Sequence, residues 1–115
     1  MIVIRRARAG DAPGIAVVHV ATWRSAYPGV LPDEVLANLS VTRLTAQYDR
    51  SIRMGMSIHV AADPGIPAIL GFTSARRNRS TLGDGEVETL YVLDDWRDMG
   101  IGRGLLRAAR TPEDA

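Results

Sequence analysis

The sequence contains no cysteine among its 115 residues, which excludes disulfide bonds, thiolate metal sites and a cysteine nucleophile. Lysine is also absent, so arginine supplies all the basic side chains counted, and we draw no functional conclusion from this. No apolar run approaches the roughly 20 residues of a membrane-spanning helix. The N-terminal MIVIRR lacks the long apolar segment of a signal peptide. The simplest expectation is a cytoplasmic protein with no membrane partner and no metal site.

The chain also lacks an excess of charge of either sign. The formal net charge is +1, so no strong field attracts the chain to nucleic acid. Arg76, Arg77 and Arg79 are expected in a solvated loop, because a nucleic-acid site would need aromatic residues between the basic ones. The length, with 46% hydrophobic residues, predicts a single domain over residues 1–115 with one core.

The first half of the chain predicts one strand and three helices. Residues 2–6 form an apolar strand, and Asp11 is expected to cap a helix over about 12–25 by accepting its free amides. This helix is expected to turn four residues toward the core: Ile15, Val18, Ala21 and Thr22. Pro32 opens a short second helix. Ser40 caps a third helix, whose apolar residues recur at helical steps.

The second half predicts a hairpin, a further strand and a final helix. Residues 57–62 and 68–74 are strands joined by a somewhat long loop around Asp63-Pro64-Gly65. The element order is therefore β-α-α-α-β-β-β-α, a chain of the α/β (α+β) class.

The most informative stretch runs from Glu86 to Arg110 and reads EVETLYVLDDWRDMGIGRGLLRAAR. It begins as a strand and ends as an amphipathic helix, with a two-glycine turn between them. The first turn of a helix has amides without partners and carries partial positive charge. Because Gly100 and Gly102 have no Cβ, a phosphate can approach those amides closely.

Spacing excludes two common phosphate motifs. A P-loop needs Lys-Ser or Lys-Thr after its last glycine, whereas Arg103-Gly104 follows Gly102 here. A dinucleotide fingerprint needs a third glycine three residues beyond the second, and that residue is Leu105.

The turn resembles the pyrophosphate motif of the GCN5-related N-acetyltransferases: Arg or Gln, two residues, Gly, one residue, then Gly or Ala. Arg97, Gly100 and Gly102 fill this pattern, and LYVLDDW before them is similar to the family's fourth strand. The opening IVIRRARAGDAPGIAVVHVATWRSAYPGVLP resembles the family's first strand, first helix and following loop. A complete member continues with a fifth strand, a fourth helix and closing strands, so the expectation is a C-terminally truncated member.

The resemblance implies a mostly antiparallel sheet flanked by helices, lacking the usual C-terminal strands, and acetyl-CoA as the cofactor. Loop amides with Arg97 or Arg103 would hold its pyrophosphate, and the strand edge would hold its pantetheine arm. An amide near Val92 or Leu93 would polarise the thioester carbonyl. The implied cofactor-binding residues are Leu90, Tyr91, Val92, Arg97, Asp98, Met99, Gly100, Ile101, Gly102 and Arg103.

Transfer of the acetyl group to an amine also implies a base and an acceptor site. Glu86 and Glu88 are the candidate bases, two residues apart and hence expected on one strand face, with Glu86 ranked first. Trp23 and Tyr27 are expected to bind the acceptor, a small-molecule or peptide amine, although core packing explains them equally well. His19 is interpreted as a helix-surface residue.

Three functions stay open at this stage. The first is an N-acetyltransferase, the second a non-catalytic acyl-CoA-binding remnant, and the third an oligomeric module without a ligand. The exposed edge of the fourth strand predicts a homo-oligomer in which a second copy covers that edge.

Overall fold

The computed structural model describes residues 1–77 and 85–110, and for residues 76, 77 and 85–88 it describes the backbone only. The expected element order is confirmed. The strands and helices are β1 (Val3–Arg6), α1 (Ala12–Ala26), α2 (Asp33–Ala37), α3 (Val41–Arg53), β2 (Ser57–Asp63), β3 (Ile66–Arg77), β4 (Gly85–Val92) and α4 (Ile101–Arg110). Short 3-10 turns precede α1 and follow β4, the latter at Asp94–Trp96.

The four strands form one sheet in the order β1-β2-β3-β4, and each neighbouring pair is antiparallel. The loop between β2 and β3 is shorter than expected, because Asp63 already pairs with Ile66. The Asp63 carboxylate accepts the Gly65 amide at 2.8 Å and closes the turn. Strand β3 also runs to Arg77, so Arg76 and Arg77 lie in a strand and not in a loop. Arg79 lies outside the described residues.

Helices cover both faces of the sheet. On one face α1 and α3 enclose a cluster built from Ile15, Val18, Ile58, Val60 and Phe72. On the other face α4 places Ile101 and Leu105 against Ala61 and Leu70. Within the described ranges, no helix combines the length and apolar character needed to cross a membrane.

The two predicted helix caps have different outcomes. Ser40 caps α3 as expected, since its hydroxyl accepts the Arg43 amide at 3.1 Å. The prediction for Asp11 is wrong. Its carboxylate accepts the guanidinium of Arg5 at 2.7 and 3.0 Å and the Arg8 amide at 2.7 Å, and it makes no side-chain cap to α1. The contact with Arg5 of β1 is bidentate and both partners are charged, so it outweighs a single bond to a helix amide.

Candidate functional site

A tight turn delivers the chain from β4 to the N-terminus of α4. Asp98 and Gly100 both adopt left-handed backbone angles, with φ of 64° and 79°. Glycine adopts this region freely, and aspartate tolerates it better than most residues do. The first helical hydrogen bond runs from the Gly104 amide to the Gly100 carbonyl at 3.0 Å. The amides of residues 101–103 therefore precede the helical ladder and point out of its N-terminus.

The glycines of the turn face open space, whereas the isoleucine between them is buried. A Cβ added at Gly100 or Gly102 would meet nothing within 4 Å. Ile101, in contrast, is only 3% exposed and packs with Leu105 against the sheet. The buried isoleucine fixes the position of the first helical turn, while the glycines leave its amides accessible.

The edge of β4 presents unpaired backbone groups. The Leu93 amide donates to the Leu70 carbonyl at 2.9 Å, on the far side of the Val92–Gly71 pair. Val92 is therefore in a non-hydrogen-bonded pair, and its own amide and carbonyl point away from β3. Leu90, two residues earlier in the same register, presents its groups to the same edge. Among the described residues, no strand pairs with this edge of β4.

A cleft of about 310 Å³ joins this edge to the start of α4. Six of the ten residues expected to bind the cofactor line it: Leu90, Tyr91, Val92, Arg97, Asp98 and Gly102. Trp96 from the 3-10 turn and Thr22 from α1 complete the lining. Of the four remaining residues, Met99, Gly100 and Arg103 are exposed and Ile101 is buried in the core.

Charged groups at the mouth of the cleft are linked to α1. A guanidinium nitrogen of Arg97 lies 3.1 Å from Asp94, and the Ser25 hydroxyl of α1 donates to the same carboxylate. The Arg97 and Asp94 side chains are both about half exposed, so the pair contributes at most about 1 kcal/mol. Asp94 thus holds Arg97 near the cleft without fixing it firmly.

The aromatic residues expected at the acceptor site contact β4. The Trp23 indole donates to the Tyr91 hydroxyl at 2.7 Å, and the rings of Trp23 and Tyr27 lie 5.2 Å apart. The sequence predicts His19 on the helix surface, but the structure places it half-buried. Its Nδ1 lies 2.7 Å from the Tyr48 hydroxyl.

The two candidate bases lie on β4, but their side chains are outside the described residues. The backbone register pairs Glu86 with Arg76. It also pairs Ser74 with Thr89 and Ala75 with Val87, so Glu88 is the extra residue of a β-bulge. The bulge removes the strict alternation on which the expectation of a shared face depends.

Sequence reasoning missed three lining or linking residues. Thr22 had been interpreted as a core residue, and neither Asp94 nor Trp96 had been given a role at the site. For Thr22 a signal was present, because a polar residue on the buried face of an amphipathic helix needs a hydrogen-bond partner. No local pattern marks the other two, since their positions depend on the turn between β4 and α4.

The arrangement can bind an elongated anion. Helix-terminal amides and a nearby arginine hold a phosphate or diphosphate. The unpaired groups of an edge strand hydrogen-bond to an extended chain that carries amides. Both features open on the same cleft, so one molecule with both chemical parts can contact them together.

The chain is similar in sequence to curated N-acetyltransferases. An uncharacterised N-acetyltransferase of Bacillus subtilis (strain 168), YuaI, is 32% identical over 109 residues, covering 92% of this chain and 61% of that protein. The chain thus spans less than two thirds of the length of the curated relatives that it matches.

Solved structures share the fold. PaiA N-acetyltransferase from Thermoplasma acidophilum, solved with coenzyme A, superposes with a TM-score of 0.71 at 21% identity, over 95% of this chain and 69% of that one. YncA of Salmonella typhimurium, solved with its cofactor acetyl-CoA, gives 0.65 at 21% identity, over 95% and 61%. Residues 20–111 match the acetyltransferase (GNAT) family model. Since that match covers well over half of the sequence, this chain belongs to the GNAT family of acetyltransferases.

Proposed function

We propose that this chain binds acetyl-CoA and transfers its acetyl group to an amine of a small molecule or peptide. The observation that carries the proposal is the single cleft onto which the free amides of α4 and the open edge of β4 both face. Membership of the GNAT family supports the reaction class. The coenzyme A and acetyl-CoA complexes of PaiA and YncA support the choice of cofactor.

The residues present fit the cofactor's two polar parts. The amides of residues 101–103 and the side chains of Arg97 and Arg103 would hold the diphosphate, each charge-assisted bond contributing on the order of 1.5–3 kcal/mol. Met99 and Asp98 shape the same turn, and the Asp98 carboxylate must point away from the phosphates. The edge groups of Leu90 and Val92, on either side of Tyr91, would pair with the amide-bearing arm.

One backbone amide suits stabilisation of the developing oxyanion. When bound, acetyl-CoA supplies an activated thioester. The Val92 amide points toward the open edge, whereas the Leu93 amide is already bonded to Leu70. We therefore assign the polarising role to Val92, as a preorganised dipole that needs no rearrangement during the reaction.

The acceptor amine needs a base, because its pKa of about 10 keeps it protonated at neutral pH. We propose Glu86 for this role, with Glu88 as the alternative, and place the acceptor beside Trp23 and Tyr27. The Trp23 indole donates to the hydroxyl of Tyr91 on β4, the strand whose open edge would bind the cofactor. This bond would align the acceptor with the cofactor.

Replacement of the base tests this assignment. Glu86→Gln is expected to lower kcat by about 10²–10⁴ at neutral pH, and more than Glu88→Gln does, since a positioned base contributes about that factor. The affinity for acetyl-CoA should be unchanged, as measured by calorimetry. The opposite order of kcat values would transfer the role to Glu88. Wild-type kcat in both variants would exclude both residues.

Binding is tested by titration of coenzyme A into the wild-type chain and two variants of matched size. Gly102→Asp is expected to weaken binding by at least about 100-fold, because like charges about 4 Å apart repel by about 4 kcal/mol at an effective dielectric constant of about 20. Gly102→Asn adds the same bulk without the charge, so its loss should be much smaller. The aspartate also favours the helix N-terminus, so the variant should unfold no earlier than the wild type.

Two results would change the conclusion. Absence of heat with coenzyme A in the wild type would remove the site assignment. Binding without release of thiol from acetyl-CoA, across a panel of amines, would leave an acyl-CoA-binding module without catalysis.

The same edge of β4 is also where we propose that a second copy of the chain pairs, because unpaired strand edges associate.

A further inference from the structure

The Thr22 hydroxyl is buried and unpaired within the described part of the chain. The residue lies in α1 and is only 7% exposed, and its Oγ1 has no hydrogen-bond partner among the described residues. A threonine inside a helix commonly returns its hydroxyl to the carbonyl four residues earlier, and this one does not. Buried polar groups in folded proteins are nearly always paired, so an orphaned hydroxyl points to a partner that binds from outside the fold.

The position of Thr22 shows where such a partner would lie. Thr22 lines the cleft of about 310 Å³ together with Leu90, Tyr91 and Val92. It also lines a neighbouring cleft of about 300 Å³ that the turn from Leu93 to Trp96 encloses. The residue therefore lies where the open edge of β4 meets that turn, across the cleft from the N-terminus of α4.

We infer that the Thr22 hydroxyl binds the amide-bearing arm of the acyl-CoA, a contact that rests on the proposed function. The open strand edge offers backbone partners on one side of that arm only. A hydroxyl both donates and accepts, so Thr22 can pair with an amide N–H or an amide carbonyl of the arm from the α1 side. Thr22 is thereby a cofactor-positioning residue that holds the arm between α1 and β4.

The test compares the wild type with Thr22→Val and Thr22→Ser by titration calorimetry. Valine keeps the shape and removes the hydroxyl, so acetyl-CoA should bind about three- to tenfold more weakly, the value of one neutral hydrogen bond. Serine keeps the hydroxyl and should retain affinity within about twofold. The ligand-free valine variant should also melt at a higher temperature, because it no longer buries an unpaired oxygen.

A second ligand separates this contact from the diphosphate site. Adenosine 3′-phosphate 5′-diphosphate retains the nucleotide and the diphosphate but lacks the arm, so Thr22→Val should bind it as the wild type does. Equal weakening for both ligands, unchanged affinity for acetyl-CoA in Thr22→Val, or equal losses in the valine and serine variants would each overturn the inference. If the wild type binds neither ligand, the proposed function itself is wrong.

Discussion

His19 shows how one side chain couples α1 to the rest of the fold. Its Nδ1 lies 2.7 Å from the hydroxyl of Tyr48 on α3. Its ring lies 5.2 Å from that of Trp23 and 5.5 Å from that of Tyr91 on β4. Desolvation by these neighbours lowers the pKa of His19 below its ordinary value. Burial, with a smaller contribution from Tyr91, raises the pKa of Tyr48, so this phenol stays protonated.

The lowered pKa of His19 predicts loss of stability in mild acid. Because the unfolded state binds the proton more readily, the neutral imidazole stabilises the fold fully above about pH 6.5, and this contribution is lost as the pH falls through the folded-state pKa. The free energy of unfolding, measured by urea denaturation between pH 8 and pH 5, should therefore fall with decreasing pH in the wild type.

The variant His19→Gln supplies the control for this prediction. At pH 8 it should be less stable by about 1 kcal/mol, the value of the lost bond to Tyr48. Its stability should depend less on pH between 6.5 and 5, since no imidazole remains at this site to take up the proton. Identical pH slopes in the two proteins would show that His19 does not titrate in this range.

At the scale of the element, β4 has one bonded edge and one open edge, and we propose two kinds of partner for the open edge. One edge is bonded to β3, and the other presents the backbone groups of Leu90 and Val92. The proposed cofactor arm and the proposed second copy would use those same groups. Because one amide cannot donate fully to both, binding of the cofactor and self-association through this edge would compete.

This competition predicts that acetyl-CoA dissociates the oligomer. Light scattering at micromolar concentration should show a dimer or larger species without ligand, and a shift toward monomer with saturating acetyl-CoA, by linkage. Adenosine 3′-phosphate 5′-diphosphate is the matched control, since it occupies the turn without covering the strand. A stable monomer in the absence of ligand would contradict pairing at this edge. An oligomer that persists with acetyl-CoA would place the interface elsewhere.

Helix α4 is the element whose role the sequence defines best. Its glycines and Ile101 lie within a few residues of each other, so the open turn is a local feature, whereas the burial of Ile101 needs Ala61 and Leu70 of the sheet. The described helix begins at Ile101, where the glycine pattern predicts it, and runs to Arg110. Local steric rules are sufficient here, because no distant residue is needed to form the turn.

At the scale of the whole molecule, the site combines segments that are far apart in sequence. Thr22 comes from α1 on one face of the sheet, and Gly102 belongs to α4 on the other face. Both reach the same cleft because β4 lies at the sheet edge, where the two faces meet. The α1 side of the cleft therefore exists only once the sheet has formed.

Sequence reasoning succeeded where one segment decides the outcome and failed where two compete. Ser40 caps α3 as predicted, since the serine and the amide that it accepts are three residues apart. The same rule failed for Asp11, because Arg5 on the adjacent strand offers a charged partner. Thr22 was read as a core residue, and its periodicity does place it inside, but periodicity does not report whether a hydroxyl is paired.

The amino-acid order by itself determined the order of the strands and helices, the family resemblance and the open two-glycine turn, because each follows from short stretches of the sequence. Only the tertiary structure decided that Val92 and not Leu93 has a free amide, that Glu88 lies in a bulge, and that Thr22 faces the cleft. These three facts depend on strand register and on the packing of α1, which long-range contacts set and no local pattern encodes.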